Sequence, residues 1–63
     1  MKQRYKVIIN WSGEVLTFYS VTTSANQALR NAIRKCAKKV GYDKKFVEKY
    51  VMDPNARRWE VKT

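Results

Sequence analysis

The sequence predicts a small α+β domain, an antiparallel three-stranded sheet with helices on one face. Three observations lead to this fold class. Two stretches near the amino end alternate between apolar and polar residues around a Ser-Gly pair. A longer stretch then has the apolar spacing of a helix, and a short alternating stretch ends the chain. With 63 residues and 44% apolar composition, the chain has room for one domain, residues 1–63, with one core.

The two alternating stretches predict a β-hairpin. Residues 4–11 alternate, and residues 14–21 do the same after the pair Ser12-Gly13. A two-residue loop at this pair sets Ile9 opposite Leu16, and it makes one face of the hairpin apolar throughout. Loop length and apolar pattern therefore agree on one register.

A long helix is predicted after the hairpin. Ser24 and Gln27 have the spacing of a capping box, in which the serine precedes the helix and the glutamine is its third residue. Gly41 marks the carboxyl end, because glycine readily adopts the left-handed conformation that ends helices. Apolar residues between these signals recur at steps of three and four and predict a buried stripe: Ala25, Ala28, Leu29, Ala32, Ile33, Cys36, Ala37 and Val40.

Residues 42–53 fit either a second helix or a strand. As a helix, the segment begins at the cap residue Asp43 and has an apolar face formed by Phe46, Val47, Tyr50 and Val51. As a strand, it alternates, and residues 53–56 turn a second hairpin. The helix is favoured because the apolar pairs lie four residues apart.

Residues 57–63 predict a final strand that directs Trp59 and Val61 toward the core. Depending on residues 42–53, the predicted order of elements is ββαβ or ββααβ. The order ββαββ is a less favoured third arrangement.

The composition argues against an enzyme and predicts no metal and no cofactor. Histidine is absent, so the usual proton shuttle at neutral pH is missing. The single cysteine, Cys36, lies in the apolar helix stripe and cannot build a zinc or copper site alone. No disulfide, signal segment or membrane span is predicted, so the expected location is the cytoplasm.

The chain carries a large excess of positive charge. Fourteen Lys and Arg oppose five Asp and Glu, for a net charge of +9. Arg30, Arg34 and Lys38 repeat at four-residue steps on the long helix with no acid among them, which costs about 0.2–0.5 kcal/mol per pair. A polyanion would offset this cost, whereas lysines that only keep a protein soluble need no partner. The favoured interpretation is a phosphate-binding face with eight candidate residues: Arg30, Arg34, Lys35, Lys38, Lys39, Lys44, Lys45 and Lys49.

Residues 36–51 resemble a helix-turn-helix motif. Such motifs have a small residue in the first helix, a glycine in the turn four residues later, and a branched apolar residue six beyond. Ala37, Gly41 and Val47 have these spacings, and the apolar supports are Cys36, Val40, Tyr42 and Tyr50. The resemblance implies a recognition helix that presents Lys44, Lys45 and Lys49 to a major groove, with Lys38 and Lys39 on nearby phosphates.

The open face of the sheet is an alternative site. Its predicted residues are Arg4, Lys6, Tyr19, Arg58 and Lys62. An aromatic ring among cations can stack a base while the cations hold phosphates. The same residues also suit an ordinary solvated sheet face.

The sequence therefore predicts a small protein that binds DNA or RNA without catalysis. One alternative is a module or inhibitor, such as a small phage or plasmid factor, that docks on an acidic protein surface. Another is a ribosome-associated protein, since the element order resembles small archaeal ribosomal proteins of the LX type. A homodimer is also compatible, and no membrane association is expected.

Overall fold

The computed structural model describes all 63 residues and has the order ββααβ. Its strands and helices are β1 (Gln3–Trp11), β2 (Glu14–Thr22), α1 (Ala25–Val40), α2 (Lys44–Val51) and β3 (Trp59–Lys62). The sheet is antiparallel with β1 in the centre, in the order β2-β1-β3. The predicted fold class is confirmed.

The hairpin has the register that the sequence predicts. Ile9 lies opposite Leu16, and Trp11 lies opposite Glu14 on either side of the turn. Ser12 and Gly13 adopt positive φ angles of 49° and 84°. A type I′ turn needs this pair of conformations, and its twist matches that of the flanking strands.

The ends of α1 follow the sequence signals with one difference. The Ser24 side chain accepts a hydrogen bond from the Gln27 backbone N–H at 3.2 Å, and Gly41 ends the helix with a φ of 77°. The Gln27 side chain donates to Asn31 Oδ1 at 3.3 Å and does not reach back to Ser24. Only half of the predicted capping box forms.

Residues 44–51 form a helix, so the strand alternative for this segment is wrong. Asp43 precedes α2, but its side chain makes no capping hydrogen bond. Val47 and Val51 are fully buried, whereas Phe46 is 53% exposed. The predicted apolar face of α2 is therefore narrower in the structure, because a helix of two turns buries only the residues that point directly at α1 and the sheet.

The core lies between the helices and one face of the sheet. Val7 and Ile9 of β1 are fully buried there. Trp59 and Val61 of β3 pack against the same cluster, as the sequence predicts. The small residues of α1 face the sheet, and its buried residues are Ala28, Leu29, Ala32, Ile33, Cys36 and Ala37, while Ala25 is exposed. The opposite face of the sheet has no covering layer.

Candidate nucleic-acid interface

The eight cations predicted to contact phosphate are all exposed and belong to the helical layer. We call this surface the basic helical face, formed by Arg30, Arg34, Lys35, Lys38, Lys39, Lys44, Lys45 and Lys49. Eight of the fourteen Lys and Arg of the chain lie on it.

On α1, the cations follow from the helical repeat. The buried residues occupy one side, and Arg30, Arg34 and Lys38, four residues apart, form a row on the opposite side. Lys35 lies toward the sheet edge, where its Nζ donates a hydrogen bond to the backbone carbonyl of Tyr19 at 3.0 Å. The row of three therefore faces solvent, while Lys35 is anchored at the flank.

The cations of α2 adjoin those of α1. Arg30 and Ile33 of α1 line a shallow groove between the helices together with Lys44 and Glu48 of α2. Lys45 and Lys49 lie on the outer side of α2, away from the buried Val47. The groove thus brings Arg30 of α1 next to Lys44 of α2, while Lys39 lies on the other flank of α1, close to Cys36.

No ion pair neutralises this surface. The structure contains two ion pairs, between Arg58 and Asp53 at 3.6 Å and between Lys62 and Glu60 at 3.7 Å. Neither involves a residue of the basic helical face. α1 contains no acidic residue, and α2 contains one, Glu48.

The segment that resembles a helix-turn-helix motif has the required order of elements. Gly41 adopts the left-handed conformation that a sharp turn needs, and its N–H donates to the carbonyl of Ala37 at 2.9 Å. α2 begins three residues later, with Val47 buried against the core. α1 also packs on the sheet, a role outside that motif. Recognition of a major groove by α2 stays a prediction.

The open sheet face contains four of its five predicted residues. Arg4 and Lys6 of β1 lie beside Tyr19 of β2, and the Arg4 guanidinium is 5.0 Å from the centre of the Tyr19 ring. Lys62 lies opposite Lys6 on β3. The cation–π contact brings one ring and two cations together on this face.

Arg58 does not project from the open face, so its predicted placement is wrong. Its guanidinium donates to the backbone carbonyl of Tyr50 at 2.8 Å and lies 4.1 Å from the centre of the Tyr50 ring. It also pairs with Asp53. Arg58 precedes β3, so the two-residue alternation of that strand does not govern its direction, and it packs on the carboxyl end of α2.

Sequence reasoning missed an aromatic cluster at the hairpin end of the molecule. The cluster consists of Trp11, Tyr42, Phe46 and Tyr50. The Trp11 ring centre lies 4.7 Å from that of Tyr50, and the Tyr42 and Phe46 centres are 5.3 Å apart. The four-residue spacing of the three α2-side rings was a visible signal, but it suggested a buried face and gave no indication that Trp11 joins them.

The single cysteine, Cys36, is buried in the core. Burial raises the pKa of the Cys36 thiol, partly offset by the nearby charge of Lys39, so the thiol stays protonated in the core at neutral pH. No group of three or more Cys, Asp or Glu side chains is arranged to hold a metal ion. None of the helices has the length and apolar character to cross a membrane.

The chain was compared with models of protein families, with curated proteins and with solved structures, and none of the three comparisons finds a match.

Proposed function

We propose that this protein binds nucleic acid, without catalysis, by contacting the phosphate backbone with the basic helical face. One observation carries the proposal: the two helices carry eight exposed cations, and none of these cations is engaged in an ion pair. Such a surface attracts a polyanion at long range, and binding is favoured by the counterions that the polyanion releases.

The proposal includes both DNA and RNA, because phosphate contacts alone do not distinguish them. The resemblance to a helix-turn-helix motif favours duplex DNA, with Lys44, Lys45 and Lys49 of α2 near the base edges. A ribosome-associated role belongs to the same class. In each case, most of the affinity comes from phosphates, so we expect modest base specificity.

The test is fluorescence-anisotropy binding to labelled duplex DNA, single-stranded DNA and RNA over a salt series. Eight phosphate contacts set an upper limit of about −7 for the slope of log K against log salt on a duplex. The variant Arg34→Gln/Lys38→Gln should reduce the magnitude of that slope by about two. The matched control Arg4→Gln/Lys6→Gln removes the same charges from the open sheet face and should leave the slope unchanged.

Three results would contradict the proposal. The interface would lie on the sheet if the control Arg4→Gln/Lys6→Gln reduces the slope of log K against log salt and Arg34→Gln/Lys38→Gln leaves it unchanged. Failure to bind any of the three nucleic acids at low salt would exclude nucleic acid altogether. A complex of fixed ratio with an acidic protein, without nucleic-acid binding, would support the protein-docking alternative.

A further inference from the structure

Two rings of the aromatic cluster are unusually accessible. Phe46 is 53% exposed and Tyr42 is 55% exposed, although both are large apolar side chains. Their ring centres are 5.3 Å apart and their planes are inclined by 35°, so the two exposed rings are in contact with each other. A purely structural cluster would bury its phenylalanine first, since Phe has no polar atom to direct toward water.

The two rear rings support the exposed pair. Tyr50 is half-buried, and its hydroxyl accepts a hydrogen bond from the Ser12 backbone N–H at 3.2 Å. Arg58 covers the Tyr50 ring and also holds the backbone carbonyl of the same residue. Trp11 contacts Tyr50 as well as both exposed rings. The exposed rings therefore rest on a base that two other elements hold in position.

Cations of the basic helical face border the exposed rings. Lys49 lies three residues after Phe46, on the neighbouring turn of the same side of α2, and Lys45 lies four residues before Lys49 in the same row. Two carboxylates, Glu14 and Asp43, belong to the same end of the molecule, and neither forms an ion pair there. The rings thus adjoin the cationic surface.

We infer that the aromatic cluster stacks unpaired bases of a single-stranded nucleic acid whose phosphates lie on Lys45 and Lys49. This inference rests on the proposed function and specifies its substrate class. It assigns Lys45 and Lys49 to phosphates of a single strand, in place of the duplex contacts that the helix-turn-helix resemblance implies. Every base has an aromatic face, so stacking on Tyr42 and Phe46 tolerates any sequence. Duplex bases are already stacked on each other and expose only their edges, so the cluster favours single strands.

The test compares oligonucleotides of equal length with and without bases. Phe46→Leu keeps an apolar side chain but removes the ring. It should weaken binding to a base-bearing single strand by at least about fivefold. Its affinity for an abasic strand, and the salt slope for both strands, should equal those of the wild type, since the lysines are unchanged.

Two further variants serve as controls. Phe46→Tyr keeps the ring and should retain wild-type affinity. Tyr19→Leu removes a ring of similar exposure, 50%, from the opposite face and should have no effect. In a Trp59→Phe background, Trp11 is the only tryptophan, and its fluorescence should change with the base-bearing strand and not with the abasic strand. Circular dichroism confirms that each variant folds.

The outcomes separate this inference from the function on which it rests. If the wild-type protein binds base-bearing and abasic strands equally, or folded Phe46→Leu binds both as the wild type does, the stacking inference is overturned and phosphate binding stands. If the wild-type protein binds duplex DNA at low salt but neither single strand, the stacking inference is overturned and phosphate binding stands. If it binds none of the three, both proposals fail. A loss confined to the base-bearing strand supports both.

Discussion

Arg58 shows how a charged residue acquires a structural role. Its guanidinium contacts the ring and the backbone carbonyl of Tyr50 and pairs with the carboxylate of Asp53. These contacts join the segment before β3 to the end of α2. A planar guanidinium can make all of them together, because it stacks through its face and donates through its edge.

We predict that Arg58→Ala lowers the free energy of unfolding by about 1–2 kcal/mol, since it removes a part-buried hydrogen bond and a cation–π contact. Arg58→Lys should restore only part of this loss, because an ammonium lacks the planar geometry. Urea unfolding followed by circular dichroism measures both.

Arg57→Ala is the matched control for that measurement. It removes the same charge from the neighbouring position, where the guanidinium is exposed and lies 5.4 Å from the Trp59 ring centre. Its effect should be smaller. Equal destabilisation by Arg57→Ala and Arg58→Ala would contradict the role given to the contacts of Arg58.

Arg58 also marks a limit of prediction from sequence. The alternation of a strand gives the direction of Trp59 and Val61 correctly, because both lie within β3. Arg58 lies one residue before that strand, and its direction depends on Tyr50 and Asp53, eight and five residues earlier, at the end of α2 and in the turn that follows. The two-residue period of a strand does not describe contacts made across such a turn.

The like-charged row on α1 should affect stability and nucleic-acid binding in opposite directions. Arg30, Arg34 and Lys38 lie in one row without an acid. We predict that Arg34→Glu raises the free energy of unfolding by about 1 kcal/mol, because it converts two repulsive pairs four residues apart into attractive ones. The same variant should weaken nucleic-acid binding more than Arg34→Gln does.

Thermal unfolding and anisotropy on one preparation of Arg34→Glu provide the check. Weaker binding together with equal or higher stability would show that the loss does not come from unfolding. Lower stability with unchanged binding would contradict the interpretation of this row as a phosphate-binding surface.

The secondary structure elements differ in how much of them was predictable. The register of the hairpin was predictable, because it depends on a two-residue turn and on an alternation of period two, both of which involve only neighbouring residues. The ends of α1 at Ser24 and Gly41 were predictable for the same reason. The exposure of Phe46 was not, because it depends on how α2 docks and on Trp11, which comes from β1. The aromatic cluster therefore required the structure.

The net charge of +9 affects the free energy of the whole fold. Eight of the fourteen cations lie on the basic helical face, where no ion pair offsets their repulsion. We predict that the midpoint of thermal unfolding rises as sodium chloride is added, because salt screens repulsion between exposed charges. Circular dichroism melts at a series of concentrations measure the rise.

The variant Arg34→Gln/Lys38→Gln tests the source of this effect. With two charges removed from the basic helical face, the midpoint should rise less with salt than in the wild-type protein. A midpoint that falls with salt, or an equal rise in both proteins, would show that repulsion on this face does not limit stability.

Fold class and helix–sheet layering were predictable because apolar periodicity states which sides of the elements are buried. The strand order β2-β1-β3 was harder to predict from the sequence, since either edge of the hairpin could pair with a third strand. The charge of the basic helical face was visible in the sequence. The proximity of Arg30 and Lys44 across the groove between the helices was not, because it depends on how α2 docks on α1.

The hydrogen bond from Lys35 to Tyr19 has a consequence for self-association. In the hairpin register, the Tyr19 carbonyl faces away from β1, along the outer edge of a nine-residue strand. Such an edge invites pairing with a strand of another molecule. The ammonium of Lys35 donates a hydrogen bond to this carbonyl, and it places a positive charge where a second strand would lie. The lysine assigned to the proposed phosphate-binding surface thus also makes the outer edge of β2 less suited to pairing with a strand of another copy.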